Sequence, residues 1–292
     1  MDGSFPPPLH VWDDRVAAAS EETDAALPNI VPFPDAHLAD DCAARECWRA
    51  PGSRRLTIAQ EPFSLPWFLQ IERKRYTRSG YWIPKLLEFH KHPNERLLAI
   101  GDGLGTDWAR YAENGTEVIV CHPSASHLSI VRRHLDLRGL PGQFVQGSPT
   151  AVAVRDGSLD VACLFNTPVS PGEADQVVAE LYRVLKPGGK VIVVVPARYN
   201  ARCWQNWLMP WQRWLWPAPA SEPATRFTGR ELVRLFGRFT GHRLYKRHLR
   251  RSDLPHLWRW MALQVLERVM GRYLILKAYK PISAALPLAA AA

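Results

Sequence analysis

LLAIGDGLGTDWA, residues 97–109, joins an apolar strand to a glycine-rich turn and the start of a helix. Leu97–Ile100 form an apolar run with the length of a short buried strand. After the last glycine, apolar residues recur at helical spacing. Gly101, Gly103 and Gly105 carry no side chains that would hold a ligand away from the backbone. The next helix offers unpaired N–H groups at its N-terminus. The pattern predicts a ligand-binding loop, with a purely structural glycine turn as the alternative.

Residues 96–200 alternate between short apolar strands and amphipathic helices. Apolar strands joined by helices favour a parallel sheet covered on both faces. We therefore predict an α/β fold with a doubly wound, mostly parallel seven-stranded sheet, closed by an antiparallel C-terminal hairpin. The predicted strands are 97–100, 117–121, 143–146, 159–165, 190–196, 242–249 and 272–280. Capping patterns predict helix starts at Ser124, Ser170 and Thr228.

Charge is distributed unevenly along the 292 residues, whose net charge is +9. Residues 1–48 carry ten acidic side chains against two arginines, whereas residues 201–292 carry sixteen Lys and Arg against four acids. The five cysteines are scattered, which predicts neither a disulfide framework nor a metal site and fits a reducing cytoplasm. No apolar run is long enough to cross a membrane, and the first residues do not resemble a signal peptide.

These patterns divide the chain into six predicted parts. The central one is an α/β core, and a helical segment broken near Gly80 precedes it. The parts are a disordered acidic arm (1–55), a leading helical segment (56–95), a cofactor-binding core (96–200), a Trp-rich cap (201–225), a segment that completes the sheet (226–283) and a tail (284–292).

Three passages together resemble the class I S-adenosylmethionine-dependent methyltransferases of the small-molecule type. They are LLAIGDGLGTD at 97–107, RDGSLDVACLF at 155–165 and ELYRVLKPGGKVIVVVP at 180–196. The resemblance implies a Rossmann-like methyltransferase fold with S-adenosylmethionine at the carboxyl ends of the strands. The residues it implies for the cofactor are Ala99, Gly101, Asp102, Gly103, Gly105, His122, Ser148 and Phe165.

The chain departs from the family pattern at three positions that usually carry acids. Ala99 precedes the first glycine, His122 ends the second strand, and Ser148 follows the third. A charged acceptor to a hydroxyl is worth about 1.5–3 kcal/mol and a neutral one roughly 1. Replacing two such acceptors would weaken cofactor binding by about 10- to 1000-fold. Asp102 could restore negative charge near the sulfonium; a solvated turn residue is the alternative.

A tryptophan-rich stretch follows the fifth strand. Trp204, Trp207 and Trp211 recur at helical spacing and, with Asn166 after the fourth strand, are the predicted acceptor-binding residues. A substrate-covering lid, a membrane-interface helix and simple packing against the sheet or the leading helices all remain open. No residue is singled out as a general base.

A basic cluster covers residues 242–251. A solvated face is the plainest interpretation, although anionic lipid, the acidic arm or nucleic acid would also suit its charge. No nucleic-acid-binding motif accompanies it.

The sequence thus predicts a cytoplasmic methyltransferase that uses S-adenosylmethionine and acts on a small or lipid-like acceptor. This prediction is also compatible with peripheral contact between the protein and a membrane. The alternatives are a catalytically inactive binding or regulatory protein of the same fold and, after that, a nucleic-acid methyltransferase. Neither the acceptor nor the oligomeric state is predicted.

Overall fold

The computed structural model describes residues 61–77, 80–101, 103–167, 172–201, 203–204, 226–249, 254 and 263–282. Its helices are α1 (Leu65–Thr77), α2 (Ile83–Leu87), α3 (Thr106–Glu113), α4 (Ala125–Asp136), α5 (Ala174–Val184), α6 (Gly229–Leu235) and α7 (Leu263–Met270). Its strands are β1 (Arg96–Gly101), β2 (Glu117–His122), β3 (Gln143–Gln146), β4 (Leu159–Phe165), β5 (Leu185–Pro196), β6 (Thr240–Arg247) and β7 (Tyr273–Tyr279). A short 3-10 helix spans Phe89–Lys91.

The strands form one sheet in the order β3-β2-β1-β4-β5-β7-β6. The first five strands are parallel, and β7 runs antiparallel to both β5 and β6. This arrangement confirms the predicted doubly wound sheet and its antiparallel C-terminal hairpin. An apolar cluster covers each face of the sheet. The central strands are therefore buried on both sides.

Local signals in the sequence account for the starts of two helices. The Ser124 hydroxyl accepts the His127 N–H at the start of α4, and Thr228 and Glu231 form the predicted capping box of α6. Ser170 lies outside the described residues, and α5 begins later than predicted, at Ala174, without a side-chain cap on Glu173.

The fifth strand begins five residues earlier than predicted. β5 already pairs with β4 at Leu185, opposite Leu159, and the register then shifts so that Lys190 lies opposite Val161. The Lys-Pro-Gly-Gly stretch between these pairs therefore forms an irregularity within the strand instead of a turn before it.

The leading segment forms two helices, as predicted. Trp67 and Phe68 of α1 pack with Leu104 of the glycine-rich turn and Ile130 of α4. This contact places α1 beside the turn that follows β1.

The predicted arm (1–55), most of the Trp-rich cap (201–225) and the predicted tail (284–292) lie outside the described residues. Among the helices that the structure describes, none is both long and apolar enough to cross a membrane.

Candidate functional site

Four strands end side by side at one edge of the sheet. Gly101 ends β1 and pairs with Phe165, the last residue of β4. On the other side, His122 ends β2 opposite Gln146, the last residue of β3. The structure thus brings Gly101, His122 and Phe165 together at the carboxyl edge, where ligands bind in open α/β sheets.

The three predicted glycines occupy different structural environments. A Cβ on Gly101 would lie 2.5 Å from the Phe165 carbonyl oxygen, so only glycine allows the two strands to approach this closely. Gly105 has φ of +71° and leads into α3, a conformation that side chains rarely adopt. A Cβ on Gly103 would meet no atom within 4 Å. The loop is therefore constrained at both ends and open in the middle.

A buried carboxylate lies in the first turn of α3. Asp107 is 5% exposed and accepts two hydrogen bonds from the Arg75 guanidinium, one from Nε at 2.9 Å and one from Nη2. The Tyr76 hydroxyl donates to the same carboxylate at 2.8 Å. Burial, and after it the Asp107 carboxylate, raise the pKa of Tyr76 above its usual range, so its hydroxyl remains a donor. These bonds join α1 to the helix behind the glycine loop.

Arg75 also forms part of the wall of the site. Its guanidinium carbon lies 4.7 Å from the centre of the Phe165 ring, in a cation–π arrangement. Arg75, Tyr76 and Asp107 were not among the predicted site residues. The one available signal was an acid two residues after the last glycine, at a helix start where a carboxylate is favourable.

His122 is held by contacts with the residues that follow it. Its Nδ1 lies 3.1 Å from the Ser124 N–H and 3.4 Å from the Ser124 carbonyl oxygen, and its ring stacks on His127 with centroids 3.9 Å apart. The end of β2 therefore carries an imidazole instead of the carboxylate that is usual in the resembled family.

The other two departures from the acidic pattern lie in different surroundings. Ala99 is fully buried in the sheet, between Val120 and Cys163. Ser148 lies in an exposed turn, where its hydroxyl is 2.8 Å from that of Thr150. Asp102 lies outside the described residues, so its predicted role remains a prediction.

The predicted acceptor residues are only partly described. Asn166 directly follows β4 with a φ of +50°, and its N–H donates to the Val194 carbonyl at 2.8 Å. Trp204 is half-buried against a small apolar cluster that includes Leu249 and Met270. This packing explains the position of the Trp204 ring. Acceptor binding by Trp204 remains a prediction. Trp207 and Trp211 lie outside the described residues.

His134 of α4 holds the middle of the glycine loop. Its side chain is fully buried, its ring stacks on Phe68 at 4.2 Å, and its Nδ1 donates to the Leu104 carbonyl at 2.8 Å. Burial lowers the pKa of His134 to about 4, so the ring is neutral in the folded protein.

We expect His134 to make the folded state sensitive to acid. The folded pKa lies below the unfolded value of about 6.5, so its contribution is complete above pH 6.5 and declines as the pH falls toward 4. The loss approaches about 3 kcal/mol, which is the free energy that corresponds to a pKa lowered from 6.5 to about 4. Urea unfolding at pH 7 and pH 4.5 measures it, with His134→Gln as the comparison. Equal acid sensitivity in the two proteins would contradict this assignment.

Part of the chain is similar to known methyltransferases. Residues 97–189 match the family model described as "Methyltransferase domain". Over 102 residues the chain is 32% identical to the demethylmenaquinone methyltransferase of Renibacterium salmoninarum, a match covering 35% of this chain and 41% of that enzyme. Over 104 residues it is 36% identical to the same enzyme of Beutenbergia cavernae, covering 35% and 40%. The chain thus spans about two fifths of the length of these curated relatives.

A solved structure of geranyl diphosphate methyltransferase in complex with S-adenosylmethionine has the same fold. Its TM-score is 0.52 at 14% identity, over 75% of this chain and 92% of that one. At this level of identity, the likeness concerns the fold alone.

Proposed function

We propose that this protein transfers a methyl group from S-adenosylmethionine to a small, lipid-like acceptor, on the basis of the match of residues 97–189 to a methyltransferase-domain family model and of the similarity to curated methyltransferases. The observation that carries the proposal is the glycine loop at the end of β1. It leaves open space at Gly103, directly in front of the N-terminus of α3.

The residues at this edge fit the cofactor in shape. A side chain at Gly103 would occupy the open space, and Gly105 begins α3 without a side-chain cap, so the N–H groups of the first turn face that space. In charge the fit is weaker, because His122 and Ser148 stand where the family usually carries acids. We therefore place the dissociation constant of the cofactor between about 10 µM and 1 mM.

The described residues position the reactants and do not supply a strong acid or base. Bound S-adenosylmethionine carries its methyl group on a sulfonium, which is itself a strong methyl donor. The ion pair of Arg75 with Asp107 fixes α1 against α3, and Arg75 in turn covers Phe165. A site of this kind gains rate by orienting the two reactants and excluding water.

The acceptor class is argued from relatives and from the aromatic residues beside the site. The relatives are named for demethylmenaquinone, and the match to them covers the cofactor-binding part of this chain. Near Phe165 the structure adds Tyr273, with ring centroids 6.5 Å apart. These two rings provide an apolar, aromatic surface that suits a quinol-like acceptor.

A transfer assay tests the proposal. The full chain is incubated with methyl-labelled S-adenosylmethionine and a reduced, short-chain demethylmenaquinone, and label entering the organic phase is counted. We expect transfer at least about tenfold above that of a Gly103→Trp variant, which lacks space for the cofactor. No label, with cofactor binding demonstrated separately, would overturn the acceptor class. Absence of cofactor binding would overturn the proposal as a whole.

A further inference from the structure

A second concave surface lies away from the glycine loop, on the face of the sheet covered by α2. This groove has a volume of about 820 Å³ and runs between α2, the 3-10 helix and the hairpin of β6 and β7. We call it the basic groove, because six cationic side chains line it, against two carboxylates. The cations are Lys85, Lys91, Arg243, Arg247, Arg268 and Lys277.

Both carboxylates of the basic groove are already engaged. Glu88 accepts from Lys277 Nζ at 2.9 Å and from Lys91 Nζ at 3.1 Å, and also pairs with Lys190. Burial raises the pKa of Glu88, but hydrogen bonds from these three lysines outweigh burial and lower that pKa to about 2. Glu267 accepts from the Tyr81 hydroxyl at 3.0 Å and from the His248 N–H at 2.8 Å.

The remaining cations lack such partners within the described ranges. There, no carboxylate comes within ion-pair distance of Lys85, Arg243, Arg247 or Arg268. Counting only the part of the chain that the structure describes, the basic groove therefore holds uncompensated positive charge in a concavity, where low-dielectric walls strengthen the attraction for anions.

The hairpin register sets two of these cations side by side. Arg243 of β6 lies directly opposite Lys277 of β7, so both side chains stand on the same face of the sheet. Like charges in this arrangement repel each other, and the Lys277 side chain is only 6% exposed. Burial lowers the pKa of Lys277 even though Glu88 favours its charged form. Glu88 already compensates part of the charge on Lys277, and an anion between the two cations would relieve the repulsion that remains between Lys277 and Arg243.

The rest of the lining suits a ligand with an apolar or planar part. Tyr81, Trp82 and Tyr245 line the basic groove, and Tyr81 is 54% exposed. The Trp82 indole N–H is buried and has no acceptor among the described residues, so the wall also contains an unpaired donor. Arginine and lysine beside aromatic rings are a common combination in sites for phosphate-bearing molecules.

We propose that the basic groove binds a phosphate-bearing ligand, with its phosphate oxygens between Arg243 and Lys277 and its apolar part against Tyr81 and Tyr245. The ligand is either a free phosphorylated molecule or the headgroup of an anionic lipid. The site is separate from the glycine loop and does not depend on methyl transfer.

Binding of two probes tests the proposal and distinguishes a free phosphorylated molecule from a lipid headgroup. Pyrophosphate is titrated into the full chain by calorimetry, and sedimentation is measured with vesicles of phosphatidylglycerol or of phosphatidylcholine. The variants are Arg243→Gln and Lys277→Met. Arg230→Gln is the matched control, because Arg230 is exposed on α6 and does not line the basic groove.

We expect Arg243→Gln and Lys277→Met to weaken binding by about tenfold or more, and Arg230→Gln to change it less than about twofold. Variant-sensitive binding of pyrophosphate identifies a free phosphorylated ligand. The same sensitivity confined to phosphatidylglycerol vesicles identifies a lipid headgroup. Arg243 is exposed on an edge strand, so its variant should fold even if Lys277→Met does not.

Two outcomes would overturn the proposal. One is equal binding by Arg243→Gln and Arg230→Gln, which would show attraction to the net charge of the protein alone. The other is that neither probe binds, which is also the result expected if the acidic residues 1–48 fill the basic groove.

Discussion

Asp107→Asn is expected to lower the free energy of unfolding by about 3 kcal/mol. The substitution keeps the size of the side chain and an acceptor for Tyr76, but it removes the anion that pairs with Arg75. Because Asp107 is 5% exposed and the Arg75 side chain is 27% exposed, water replaces the lost partner only in part, and a guanidinium is left without its counter-charge. Urea denaturation at pH 7 measures the change.

A double-mutant cycle separates this effect from simple loss of packing. Arg75→Met removes the positive charge, so adding Asp107→Asn to it should cost about 2 kcal/mol less than Asp107→Asn in the wild type. Since Arg75 lies over Phe165, both single variants should also weaken cofactor binding. A loss below about 0.5 kcal/mol in Asp107→Asn would contradict the structural role given to this pair.

Gly103→Trp is expected to weaken S-adenosylmethionine binding by about 100-fold or more while leaving the fold intact. A Cβ at this position meets no protein atom within 4 Å and φ is not positive, so the indole can be accommodated without strain in the free protein. It would then occupy the space in front of α3 that the cofactor requires. Calorimetric titration measures affinity, and the melting temperature reports the fold.

Gly172→Trp provides the matched control. A Cβ on Gly172 would likewise meet no atom within 4 Å, but this residue lies outside the glycine loop. We expect the variant to bind the cofactor within about threefold of the wild type. Equal loss in the two variants, or unchanged binding in Gly103→Trp, would place the cofactor elsewhere.

The features that could be predicted from sequence are those with short-range patterns. The glycine turn, the apolar strands and the cap at Thr228 each follow from neighbouring residues, and alternation of strands and helices fixes the parallel sheet. Ser170 shows the limit of such patterns. It begins a sound capping motif, but α5 starts at Ala174 with no side-chain cap.

The features that escaped prediction depend on residues far apart in the chain. Arg75 and Asp107 are 32 positions apart, and no local pattern links a cation in one helix to an acid in another. The basic groove joins α2 to the C-terminal hairpin, so the facing pair of Arg243 and Lys277 emerges only from the antiparallel register. His122 was predicted at the end of β2 and lies there, but its stacking on His127 was not predicted.

The most direct test of the central claim is calorimetric titration of the wild-type chain with S-adenosylmethionine and S-adenosylhomocysteine. The fold and the glycine loop predict saturable binding of both, with dissociation constants between about 10 µM and 1 mM and loss of binding in Gly103→Trp. No heat from a folded sample at about 5 mM ligand would contradict the claim, because it would mean that Ala99, His122 and Ser148 have removed the cofactor site.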